Sequence, residues 1–179
     1  PAESQGALLL ADNVRQLIPA RAQHSHKGTY GNVGIIGGAE GMVGAAVLAA
    51  RAALFMGPGK VFLGIAAKEV PAFDPLNPEV MLRKADELIG DENLTALAIG
   101  MGLGTDRSAP RLVAAALARK LPMVLDADAL NLIAATPAFA TALGTNSKNS
   151  STGAAYRPKM AETPHQFLSF VITPHPGEA

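Results

Sequence analysis

Four stretches of the sequence put glycines, carboxylates and an imidazole where a chain can handle a phosphate or a polar ring: residues 37–44, 100–104, 126–131 and 173–178. In the first, Gly38-x-x-Gly41-x-x-Gly44 lies between an apolar run and an Ala-rich run, so backbone N–H groups there could face an anion, or the glycines could serve tight turning and close packing alone. In the second, Gly100-x-Gly102-x-Gly104 permits close approach of a ligand to the backbone. In the third, Asp126 and Asp128 have a spacing that can orient a magnesium-bound phosphate through water, although either could instead cap the helix that follows. In the fourth, His175 is held between Pro174 and Pro176, where its imidazole can donate to a ligand oxygen or serve a structural role.

Other constellations carry less. The glycine spacing is not G-x-G-x-x-G, and the next apolar run ends in Gly64-Ile65-Ala66-Ala67 with no acidic residue for a ribose hydroxyl, which argues against a nicotinamide site of the Rossmann type. Lys60 precedes a strand, whereas a P-loop lysine opens a helix. His24 and His26 have the spacing of a metal pair, but nothing nearby completes a site and a solvated connector is the simpler reading.

The elements that must position these turns alternate. Residues 32–36 read as a buried strand, 45–56 as an Ala-rich helix and 60–65 as the next strand. Residues 70–78 hold too many prolines for regular structure. A short edge strand is expected at 80–82, a helical turn at 85–89, a strand at 94–99, a helix at 109–119, a strand at 122–125, a short helix at 129–134 and a last strand at 167–172. This is an α/β chain with a mostly parallel sheet and helices on both faces. Carboxyl ends of parallel strands share one edge, so the four turns should converge on a cleft. Residues 145–155 are rich in Ser, Asn, Thr and Gly, and with 156–166 they read as a surface excursion.

Composition sets broad limits. Lys plus Arg and Asp plus Glu are 15 each, so no net field favours nucleic acid or an anionic membrane. Cys is absent, which excludes disulfides and thiolate metal sites and fits a reducing, cytoplasmic setting. No stretch has the roughly 20 apolar residues of a membrane span, and the start lacks the basic region of a signal peptide. Residues 7–18 suit a short amphipathic helix stopped by Pro19, so 1–23 reads as a linker with a helix and 24–179 as the domain.

In this order the motifs resemble the NAD(P)H-hydrate dehydratase family of the ribokinase-like superfamily: His26-Lys27-Gly28-x-Tyr30-Gly31, Gly37-Gly38-x-x-Gly41-x-x-Gly44-Ala45-Ala46, Gly100-x-Gly102-Leu103-Gly104, Asp126-Ala127-Asp128-Ala129-Leu130-Asn131 and Thr173-Pro174-His175-Pro176-Gly177-Glu178. The resemblance implies a ribokinase-like fold and a repair reaction in which NADH or NADPH hydrated at C6 is dehydrated back to the reduced cofactor. ADP or ATP is the co-substrate, with Mg2+. The C6 hydroxyl is phosphorylated and the phosphate then leaves, giving AMP from ADP. By the same resemblance Ala45, Gly102 and His175 line the hydrated-nicotinamide side, while Gly104, Asp126 and Asn131 lie near the phosphates.

The resemblance also implies a homo-oligomer, a tetramer in many members, and a possible NAD(P)HX epimerase domain before Pro1. Met101 stands where the family commonly has Pro. Members continue beyond the Pro-His-Pro-Gly-Glu turn to a Gly-x-Gly-Asp turn that supplies an anion hole and the base. On this reading the base, an Asp, lies beyond Ala179, and no catalytic residue falls within the 179 residues, which are expected to be an incomplete domain, inactive by itself. Two other readings stay open: a ribokinase-like kinase for a vitamin-precursor alcohol, and a non-catalytic nucleotide-binding module.

Overall fold

The computed structural model describes His24, residues 27–148 and residues 170–173, with side chains as far as residue 143. Apolar runs rich in Ile, Val and Leu form strands, and helices follow β1, β3, β4 and β5. In chain order these are β1 (Asn32–Gly37), α1 (Val43–Phe55), β2 (Lys60–Ile65), β3 (Met81–Lys84), α2 (Ala85–Leu88), β4 (Ala96–Ile99), α3 (Ala109–Leu117), β5 (Met123–Asp126), α4 (Asp128–Ala135), α5 (Pro137–Lys148) and β6 (Phe170–Thr173). A short 3-10 turn, Lys27–Tyr30, precedes β1.

The strands form one sheet in the order β3-β2-β1-β4-β5-β6. Every neighbouring pair is parallel, so all carboxyl ends lie on one edge. Strand residues alternate between two cores, as period-two side chains must. Ile35, Val61, Leu63 and Ile65 pack under α1 with Ala46 and Ala50. Ile36, Phe62, Leu97 and Ile99 pack on the other face with Leu88 of α2, Leu112 and Val113 of α3, and Leu132 and Ile133 of α4. The expected doubly covered parallel sheet is therefore present.

Most boundaries shift by one to three residues from the sequence reading, and two differences matter more. Helix α1 begins at Val43, so Gly44 lies in its first turn and not before it. The stretch expected to open as a loop at residue 145 is helical through Lys148, because α5 starts with Pro137, whose fixed φ suits a first helical position. Phe139, Ala142 and Leu143 anchor α5 on the core. Composition alone hid a helix held by packing at its start. Residues 149–169, residues 174–179, the predicted helix at 7–18 and His26 lie outside the described residues.

Candidate active site at the carboxyl edge of the sheet

Three of the four turns are joined directly. Gly38 N–H donates to Met101 O at 3.1 Å and Ala39 N–H to Gly102 O at 2.6 Å, tying the turn after β1 to the turn after β4. The second turn is tied to the third by Gly104 N–H, which donates to Asp128 Oδ2 at 2.8 Å. Two glycines make this closeness possible. A Cβ on Gly100, whose φ is +123°, would lie 1.8 Å from the carbonyl oxygen of Asp126. A Cβ on Gly102, at φ +60°, would lie 2.8 Å from the Met42 carbonyl oxygen and 3.1 Å from the Ala45 Cβ.

These bonds change the reading of the glycines. The amides of Gly38, Ala39, Gly100, Leu103 and Gly104 are all spent within the chain, so most of the Gly-rich backbone holds turn against turn and does not face an anion. For Asp128 the capping alternative is not taken up. Helix α4 has no side-chain cap, and the Asp128 carboxylate reaches sideways to the neighbouring turn. Ala127, before it, has φ +44° and ψ −118°. It is the single non-glycine residue with positive φ among the described residues, and strain of this kind collects where a strand must turn sharply into a helix at a site.

What remains open is the first turn of α1. Its N-terminus has no side-chain cap. The amides of Gly41, Val43 and Gly44 have no hydrogen-bond partner among the described residues, and Gly41, Gly44 and Ala45 are exposed. The structure thus brings Ala45, Gly102 and Gly104 to one wall. Asp126, at the end of β5, stands next in line, and Asn131 is exposed in the first half of α4. Asp126 is in register with Thr173 of β6, so the fourth turn leaves from the same edge. His175 itself lies outside the described residues, and so does Ala179, beyond which the resemblance puts the catalytic base.

The family model described as NAD(P)H-hydrate dehydratase matches residues 33–149, which includes all three joined turns. The chain belongs to this family. It is 40% identical over 163 residues to the ADP-dependent (S)-NAD(P)H-hydrate dehydratase of Neisseria meningitidis, covering 89% of this chain and 48% of that protein. It is 38% identical over 178 residues to the bifunctional NAD(P)H-hydrate repair enzyme of Coxiella burnetii, covering 96% of this chain and 30% of the relative. The Bacillus subtilis ADP/ATP-dependent NAD(P)H-hydrate dehydratase, solved after co-crystallisation with ATP and Mg2+, superposes with a TM-score of 0.61 at 29% identity over 93% of this chain and 52% of that one. A ribokinase-like protein of Enterococcus faecalis superposes with a TM-score of 0.66 at 23% identity, covering 94% of this chain and 54% of that one, and shares the fold. The chain spans about half or less of the length of these relatives.

The Met101 carbonyl is fixed by Gly38 N–H, which holds the turn after β4 against the turn after β1. Sequence reasoning gave Asp128 less weight than its tether to Gly104 warrants. The signal was present in the Asp-x-Asp spacing at a strand-to-helix junction. Nothing in the sequence marked the strained φ of Ala127.

Proposed function

We propose that the protein carrying these residues dehydrates hydrated NADH or NADPH back to the reduced cofactor at the expense of ADP or ATP. The observation that carries this reading is the shared wall of Ala45 and Gly102, closed by hydrogen bonds between the turns after β1 and β4. A hydrated nicotinamide, puckered at its saturated carbons, fits against such a wall of small residues, with unpaired amides at its lip for polar groups of the ring. Ala45, Gly102 and His175 take the substrate. Gly104, Asp126 and Asn131 lie toward the nucleotide phosphates, with Asp128 as the tether that sets the position of Gly104. On this reading the catalytic base is an Asp beyond Ala179, and residues 24–179 supply positioning without it.

Positioning is what this reaction asks of a protein, because charge neutralisation and alignment carry phosphoryl transfer. Among the described residues no cluster of three or more His, Asp or Glu could hold a metal ion. These residues do not build a magnesium cage, and we assign the metal no step here; Mg2+ would arrive on the nucleotide phosphates. Residues 24–179 belong to one domain preceded by a linker at 1–23, which in a bifunctional arrangement follows an epimerase domain. The protein works as a homo-oligomer in the cytoplasm, and among the described residues no helix is long and apolar enough to cross a membrane.

The test is incubation of the full-length protein with hydrated NADH, magnesium and either ADP or ATP. Recovery of the near-ultraviolet absorbance of reduced nicotinamide, with one AMP formed per NADH when ADP is used, is the expected result. Absence of recovery with both nucleotides would overturn the reading, and transfer of phosphate to a stable alcohol would replace it with a kinase.

A further inference from the structure

Beside the joined turns, the carboxyl ends of β2 and β3 frame a cavity of about 210 Å³ whose lining includes Ile65, Ala66, Ala67, Lys68, Lys84 and Ser108. It is continuous with the candidate site: Ala66 N–H donates to Gly37 O and Ala67 N–H to Gly38 O, so its floor hangs from the turn that also carries the nicotinamide wall. Two lysines and one carboxylate, Asp86, line it. Neither Lys68 nor Lys84 makes an ion pair among the described residues. Of the carboxylates in and around it, Asp86 is paired with a cation, and Glu40 and Asp106 keep their charge while accepting hydrogen bonds. Asp86 meets Arg111 at 2.8 Å, Glu40 accepts from Lys68 N–H at 3.0 Å, and Asp106 accepts from Ser108 N–H, Ser108 Oγ and Ala109 N–H at the start of α3.

We infer that this cavity is the subsite for a phosphate group of the dinucleotide substrate, held by Lys68 and Lys84. The inference rests on the dehydration reading and adds to it where the rest of the substrate goes. The strand order decides the direction. With the nicotinamide at β1 and β4 and the second nucleotide's phosphates toward β5 and β6, the free length of the edge for the adenylate half of the substrate is that over β2 and β3. Strands lie roughly 4.8 Å apart, which puts the end of β3 about 10 Å from that of β1, a distance for one ribose between ring and pyrophosphate.

The experiment is calorimetric titration of the full-length protein with hydrated NADPH and hydrated NADH, without ADP or ATP, for wild type, the Lys68→Gln/Lys84→Gln pair and the Lys68→Arg/Lys84→Arg pair. The Gln pair should weaken binding of the dinucleotide about tenfold, with the Arg pair close to wild type, since charge-assisted bonds to phosphate survive an exchange of cation better than its loss. In turnover the Gln pair should raise KM for the dinucleotide and spare KM for ADP. A larger loss for hydrated NADPH than for hydrated NADH assigns the 2′-phosphate; equal losses assign the pyrophosphate. Unchanged binding in the Gln pair, or equal weakening in the Gln and Arg pairs, would overturn the inference. A wild type that binds the dinucleotide through these lysines but regenerates no NADH would keep the subsite and remove the reaction.

Discussion

At the ends of β1, β4 and β5 the chain is drawn together by hydrogen bonds from turn to turn, whereas at the ends of β2 and β3 it leaves a cavity floored by alanines and flanked by lysines. The first half has little room for change, since atoms of neighbouring turns already stand where side chains would be. The second half is more open, and in it Lys68 and Lys84 make no ion pair among the described residues while the Asp86 carboxylate is paired with Arg111. One edge of one sheet thus holds a rigid wall and an open shoulder that bears two lysines. Such a division suits a ligand whose reacting part must be fixed and whose distant charged part needs only to be held.

The sharpest way to break this contrast is Gly100→Ala. The new Cβ would meet the Asp126 carbonyl oxygen at 1.8 Å, and destabilisation above about 4 kcal/mol, or failure to fold, is expected in chemical denaturation. Gly41→Ala is its control. Its φ is +76° but nothing lies within 4 Å of the added atom, so a loss of only about 1–2 kcal/mol is expected. Equal losses at the two positions would mean that conformation matters here and turn-to-turn contact does not.

Next in size is Asp128→Ala. It leaves Gly104 N–H without its acceptor and should cost about 1–3 kcal/mol, with a larger proportional fall in kcat/KM than the change in Tm implies. Asp128→Asn keeps an oxygen that can accept and should recover most of the loss. If Asp128→Ala changes neither stability nor kcat/KM, the tether is incidental.

A smaller effect is expected on the β2 side, where the loop at residues 70–78 is clamped to α1. Arg51 Nε donates to Asp74 Oδ2 at 2.7 Å and its terminal nitrogen to Oδ1 at 2.6 Å. The Arg51 hydrogen bonds, helped by those from the Leu76 and Asn77 amides, hold the Asp74 pKa down to about 2 from its ordinary 3.8. A depressed carboxylate contributes stability above its unfolded pKa and loses it as pH falls through the folded one. The Tm should therefore drop as pH is lowered from about 4 toward about 2, and Asp74→Asn should flatten that part of the profile. An unaltered acid limb in the variant would remove the clamp from the account.

Much of this was legible in the sequence, because apolar runs that end in Gly or Asp announce both a strand and the turn that leaves it. The parallel sheet, the placement of residues 80–82 near an edge strand and the gathering of the turns on one edge follow from that pattern. What the pattern could not convey was where backbone groups are spent. Gly38 and Gly104 look like anion donors until their N–H groups are found on Met101 O and Asp128. The helix at Pro137–Lys148 was hidden for a related reason, since its Thr, Asn and Ser are neutral about helix until Phe139 and Leu143 reach the core. Lys68 and Lys84 stand sixteen positions apart in sequence, and only the parallel pairing of β2 with β3 makes them neighbours.

The central claim is that the wall shared by Ala45 and Gly102 receives the hydrated nicotinamide. Ala45 is exposed in the first turn of α1, so a larger side chain there fills the cleft without disturbing the core. The direct measurement is the Kd of hydrated NADPH for wild type and Ala45→Phe in the full-length protein, with Tm recorded for both. Binding weakened by a factor of about 100 is expected, with unchanged affinity for ADP and a Tm loss well below that of Gly100→Ala. Equal affinity for hydrated NADPH in the two proteins would contradict the claim.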